Sequence, residues 1–122
     1  MLTISSILDE CPHVLVIFDA VYDFLTFDGN THHNFATIGN NWDRTITVFS
    51  GGKLFNATAW KLGWAIGHEK LIAFGTVMHQ SVFYSFNTPA QIAIGNCLGR
   101  AFEKGWKEVT NKEGQVESIN YV

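Results

Sequence analysis

The sequence predicts an α/β domain on a mostly parallel sheet with one antiparallel strand, and three observations carry that prediction. Two apolar runs, Val14-Leu15-Val16-Ile17-Phe18 and Thr45-Ile46-Thr47-Val48-Phe49, fit strands covered on both faces, as in parallel sheets. The stretch between them carries turn signals at Asp28-Gly29-Asn30 and Gly39-Asn40-Asn41. It is long enough for the crossover that parallel pairing needs and a tight hairpin cannot supply. A third run, Leu62-Gly63-Trp64-Ala65-Ile66, follows the second too closely for a helical crossover and is therefore expected to run antiparallel.

Helical spacing follows the strands. From Glu69 to Val82, the residues Leu71, Phe74, Met78 and Val82 recur at helical intervals, a stripe expected to be core. Thr88-Pro89-Ala90-Gln91 has the form of a capping box with proline at the first helical position. It opens a helix with Ile94, Leu98 and Ala101 on one side, and Lys104-Gly105 is the expected stop. Residues 106–122 turn polar and lose periodicity, so they read as a loose, divergent tail after a first region of 1–105.

Composition narrows the function classes. With a net charge of −3 and no basic cluster, a nucleic-acid partner is not expected. No apolar run has transmembrane length, so no membrane partner is expected either. Cys11 and Cys97 lack metal-ligand spacing and no secretory signal is visible, which points to free thiols in a reducing, cytoplasmic compartment. His32-His33 sits in a polar stretch and is expected to be solvated, with no metal site.

If the first two strands are parallel, their carboxyl ends share the edge where open α/β sheets bind ligands. Asp19 ends the first and Ser50 the second, while the third run begins beside Lys61 and returns to that edge. Asp19, Tyr22, Ser50, Lys53 and Lys61 are thus expected to converge on one rim. Lys53, in the glycine-softened Ser50-Gly51-Gly52-Lys53, is placed to attack a carbonyl compound, and Lys61 to hold that compound's phosphate. A carboxylate on a pyridine nitrogen and a phenol on a ring oxygen complete the donor set that pyridoxal 5'-phosphate uses. The attacking amine must be neutral, a state favoured by partial burial and a neighbouring cation.

These residues resemble a known family. Asp19-Ala20-Val21-Tyr22, Ser50-Gly51-Gly52-Lys53, Thr58-Ala59-Trp60-Lys61-Leu62-Gly63-Trp64 and His79-Gln80-Ser81 running on to Asn87-Thr88-Pro89-Ala90-Gln91 are similar to class I aminotransferases of the kynurenine and methionine branch. The resemblance implies a fragment of the large, cofactor-binding domain of a fold-type I pyridoxal-phosphate-dependent transferase, covering 1–105. It implies transamination between an amino acid and a 2-oxo acid in a homodimeric parent, and some relatives also cleave cysteine conjugates by β-elimination. By the same resemblance Asp19 pairs with the pyridine nitrogen and Tyr22 with the 3-oxygen. Ser50 and Lys61 bind phosphate. Lys53 forms the covalent bond to the cofactor and moves the substrate's α-proton, and Tyr84 reaches toward the partner subunit.

The chain departs from the family's pattern in three ways. Ala20 stands where glutamate is usual, and Ala59 where glycine is usual, which matters if the backbone there needs positive φ. The family's upstream phosphate loop, its ring-stacking aromatic residue and its downstream carboxylate-binding arginine have no counterpart. Arg44 and Arg100 match none of these. The expectation is therefore a cofactor-anchoring piece, inactive alone, or a non-catalytic remnant of such an enzyme. A serine acyl-enzyme reading of Ser50-x-x-Lys53 needs a helical turn that two glycines disfavour, and its companion Ser-Asp-Asn and Lys-Thr-Gly motifs are absent.

Overall fold

The computed structural model describes residues 1–85, 87–104, 106–110 and 116–121, and the chain divides into two compact units. The first comprises Met1–Ser50 and Gly63–Ser85. The second comprises Gly51–Leu62 and the described residues from Asn87 onward.

In the first unit, helix α1 (Leu2–Asp9) precedes strand β1 (Val16–Asp19), and strands β2 (Thr45–Ser50) and β3 (Gly63–Gly67) complete a sheet of order β1-β2-β3. β1 pairs parallel with β2, Val16 opposite Thr45 and Asp19 opposite Val48. β3 returns antiparallel, with Ser50 opposite Gly63. Both pairings are those expected from connection length. The close return requires glycine, because a Cβ at position 63 would collide with the Phe49 carbonyl oxygen.

One face of the sheet is covered by the crossover. Its short helical turn Phe35–Thr37 is started by Asn34, whose side-chain oxygen accepts Ala36 N–H at 3.0 Å. The same oxygen accepts the Thr47 hydroxyl at 3.0 Å, which fastens the turn to β2. Phe35 then sits beside Phe18, ring centroids 6.4 Å apart. A second turn, Trp42–Arg44, anchors α1: the Asn41 amide donates to Ser5 Oγ and Ile38 O, each at 2.7 Å. Arg44 donates to the carbonyls of Leu8, in the last turn of α1, and of Cys11, a cation where helical carbonyls need one.

Covering of β1 and β2 on both faces is corrected by the structure. Thr45 and Thr47 are buried, yet Leu15 and Ile17 are 61% and 76% exposed. Their face of β1 meets no apolar cover among the described residues. Helix α3 (Glu69–Val82) has the expected bounds, capped by His68, whose ring accepts Lys70 N–H at 3.2 Å. Its stripe is not core, however: Phe74 is 76% exposed, Met78 63% and Val82 62%. Periodicity fixes which residues share a face, and only a packed neighbour buries that face.

In the second unit, helix α2 (Gly51–Leu54) replaces the expected glycine loop, and helix α4 (Thr88–Lys104) packs Ile94 against Gly51. Capping of α4 falls one residue earlier than expected, since Asn87 Oδ1 accepts Ala90 N–H at 3.2 Å and the helix opens at Thr88. Ile94 and Ala101 are buried as expected. The helix runs to Lys104, and Gly105 lies outside the described residues. The loose tail is also corrected. Strands β4 (Trp106–Thr110) and β5 (Val116–Tyr121) form an antiparallel pair, Trp106 opposite Tyr121, with an irregularity at Val109/Thr110. Cross-strand hydrogen bonding at this place needs no apolar period in the sequence to announce it.

Candidate functional site

Asp19, Tyr22 and Ser50 belong to the first unit. β1 ends at Asp19 because its side chain starts a turn, the carboxylate accepting Val21 N–H at 3.3 Å while Ala20 N–H still bonds Val48 O at 2.9 Å. Asp19 is thereby exposed at the carboxyl end of β1, and Tyr22, 54% exposed, follows in the turn. Ser50 is the last residue of β2, two positions beyond the partner of Asp19 in the parallel register. These three residues therefore sit at the sheet edge that the strand order selects for ligands. Ala20 is 2% exposed, so alanine suits a site that must stay small and apolar.

Lys53 and Lys61 belong to the second unit. Lys53 is an exposed residue of α2, without the partial burial expected for it. The turn that two glycines were expected to disfavour does form, and side chains at those glycines would not fit. A Cβ at Gly51 would meet Ile94 at 3.0 Å, and one at Gly52 the Thr58 backbone at 2.9 Å. Phe55 N–H bonds Gly51 O at 3.0 Å and Ala57 N–H bonds Gly52 O at 2.8 Å, continuing the turn.

Lys61 closes the helical turn Thr58–Trp60 in the left-handed region, φ 53 and ψ 41. Its strained backbone is unusual for a side chain with a Cβ, and Asp28, Asn56 and Tyr84 share positive φ among the described non-glycine residues. Ala59 is not among them, so the concern about backbone at that position moves to Lys61.

Arg44 donates to the carbonyls of Leu8 and Cys11 at the end of α1. Tyr84 is 91% exposed. No group of three metal-ligating side chains occurs among the described residues, and none of their helices is long and apolar enough to cross a membrane.

Sequence reasoning missed one feature. An open cleft of about 480 Å³ in the first unit is lined by Asp23, His32 and Phe49, among others. His32 is partly buried, with Nε2 buried and unbonded, which corrects the solvated reading; His33 is exposed. Burial raises the Asp23 carboxyl above the ordinary value, while His32 and backbone N–H groups pull it back. The only sequence signal was an acid and a histidine flanking the Asp28-Gly29-Asn30 turn, a pattern too common to single out.

Comparison with known proteins identifies the family. The profile of the family described as aminotransferase class I and II matches residues 2–117. Kynurenine–oxoglutarate transaminase of Dictyostelium discoideum is 47% identical over 87 residues, which are 71% of this chain and 20% of that protein. Kynurenine–oxoglutarate transaminase 3 of Homo sapiens is 45% identical over 84 residues, 69% of this chain and 18% of that protein. Among solved structures, YbdL from Escherichia coli, described as having a methionine aminotransferase function, superposes with a TM-score of 0.73 at 28% identity. That match covers 81% of this chain and 27% of YbdL. Bna3p of Saccharomyces cerevisiae gives a TM-score of 0.77 at 30% identity over 84% of this chain and 24% of its own.

The chain belongs to the class I and II aminotransferases, with its similarities on the kynurenine aminotransferase branch. It spans about a fifth of the length of the curated relatives it matches. Its α/β fold is that of part of the fold-type I domain.

Proposed function

We propose that this chain supplies the cofactor-anchoring segments of a pyridoxal-phosphate-dependent aminotransferase that exchanges nitrogen between an amino acid and a 2-oxo acid, in a homodimeric parent. The observation that carries the reading is the run of Asp19, Tyr22, Ser50, Lys53 and Lys61 in family order and spacing, with Asp19 and Ser50 at the carboxyl ends of parallel strands. The donor set fits the group in kind: one carboxylate, one phenol, one hydroxyl and two amines match a pyridine nitrogen, a ring oxygen, a phosphate and an aldehyde.

When bound, the cofactor supplies an electron sink for the bonding pair left on the substrate's α-carbon. Asp19 holds a proton on the ring nitrogen, which keeps that sink effective. Tyr22 donates to the ring oxygen and fixes orientation. Ser50 binds phosphate by a neutral hydrogen bond and Lys61 by a charge-assisted one. Lys53 would tether the cofactor covalently with loss of water and, once the substrate's amine has displaced it, would move the proton at the α-carbon as a free amine.

A chimera tests this reading. The matching 87 residues of the Dictyostelium discoideum transaminase are replaced by those of this chain. The chimera should transaminate kynurenine with 2-oxoglutarate, and Lys53→Ala should abolish turnover while part of the cofactor binding survives. Lys61→Ala should weaken cofactor affinity first, by about 1.5 to 3 kcal/mol for a hydrogen bond to a charged group. A folded, cofactor-loaded chimera without turnover, or an active Lys53→Ala variant, would overturn the assignment.

A further inference from the structure

The cleft in the first unit has a chemical bias that the cofactor residues do not explain, and it is lined by none of them. Among the described residues its one carboxylate is Asp23, and no lysine or arginine lines it. Phe24 and Phe49 supply aromatic surface, and Asn30 and Thr31 supply neutral hydrogen-bonding groups. The walls are held in place. Phe49 stacks on Trp64, centroids 5.5 Å apart and planes 12° from parallel, and the Asn34 side chain on the rim is fixed by Thr47 and Ala36. Asn30 is likewise tied back, its amide donating to Phe27 O at 2.8 Å.

We propose that this cleft binds a small organic ammonium ion carrying a flat apolar body. An ammonium group adds counter-charge beside a partly buried carboxylate whose neighbour in the lining is His32, and aromatic walls attract a cation through the ring quadrupole. His32 adds a ring nitrogen, Nε2, that is buried and unbonded in the structure. It sits near enough to Asp23 to influence that carboxyl, and its ring lies against Phe18, centroids 6.0 Å apart. A fixed wall lowers the ordering cost of binding. Without a lysine or arginine to meet a carboxylate, the cleft disfavours anions and discriminates against amino-acid zwitterions, which separates this ligand class from the substrates proposed above.

The test is a titration of the 122-residue chain carrying Phe74→Ser and Met78→Ser, which remove exposed apolar surface outside the cleft, followed by amide chemical shifts and by calorimetry, with four probes of one shape: benzylammonium, benzyl alcohol, phenylacetate and phenylglycine. Benzylammonium should bind saturably, shift the amides of Asp23, Thr31 and His32, and bind about tenfold tighter than benzyl alcohol. Asp23→Asn should bring the two probes to parity; burial already disfavours the ionised form, so this variant keeps its fold. Glu69→Gln, which removes an exposed carboxylate on α3, should leave benzylammonium affinity unchanged. Equal loss in Glu69→Gln would reveal mere charge attraction and overturn the proposal. So would parity of all probes while Asp23 is intact, or tighter binding of phenylacetate or phenylglycine than of benzylammonium.

Discussion

The covered face of the sheet and the outer face of α3 invert the usual rule of apolar inside and polar outside. Thr47, a polar residue, is 1% exposed, and Phe74, an apolar one, is 76% exposed. Thr47 is buried because Asn34 satisfies its hydroxyl and Phe35 and Ala36 close over that face. Phe74 is exposed because its helix packs one narrow side toward β3 and presents the rest outward. Burial therefore follows where partners are, and hydrophobicity alone does not assign a residue to a core.

The largest effect should come from the uncovered face. Phe74, Val77, Met78 and Val82 together make an apolar surface of the kind that sticks to copies of itself. Size-exclusion chromatography with light scattering should find the chain in assemblies. Phe74→Ser combined with Met78→Ser should shift it toward monomer, each substitution removing about 1.5 to 3 kcal/mol of association. A sharp monomer with cooperative melting before any substitution would break the comparison.

Next in size is the polar fastening of the covered face. Asn34→Ala deprives both Thr47 Oγ1 and Ala36 N–H of their acceptor and should cost about 1 to 3 kcal/mol in denaturant unfolding. Thr45 gives the opposite sign. It is fully buried and its hydroxyl has no partner, so Thr45→Val should stabilise by about 1 kcal/mol.

Lys61→Gly sharpens the contrast between stability and function within one residue. Relieving φ 53 should stabilise the chain by about 1 kcal/mol, while losing the amine should weaken phosphate binding. A variant that loses both would place the value of Lys61 in its backbone.

Asp23 gives the smallest effect, through pH. Its carboxyl is raised by burial, so it favours the folded state most below the ordinary carboxylate range, and that contribution is lost as pH rises through the raised value. Asp23→Asn should flatten this acid-side dependence in urea unfolding at low salt.

Strand positions and pairing directions were legible because run lengths and connection lengths act locally. The strand-end positions of Asp19 and Ser50 were legible from where the apolar runs stop, and the parallel register places them there. What was not legible depended on tertiary partners. Neither the helical turn at Gly51 and Gly52 nor the uncovered stripe of α3 leaves a local mark, since both follow from which backbone or side chain lies alongside. The β4–β5 pair and the His32–Asp23 cleft escaped for the same reason.

The central claim is that Lys53 is the cofactor's covalent tether. Pyridoxal phosphate is added to the chain, borohydride fixes any carbon–nitrogen double bond formed with an amine, and peptide mass mapping locates the label. The account predicts label at Lys53 well above Lys61 and Lys70, and its loss in Lys53→Ala without transfer to Lys61. Label concentrated on Lys61, or spread evenly over the exposed lysines, would contradict it.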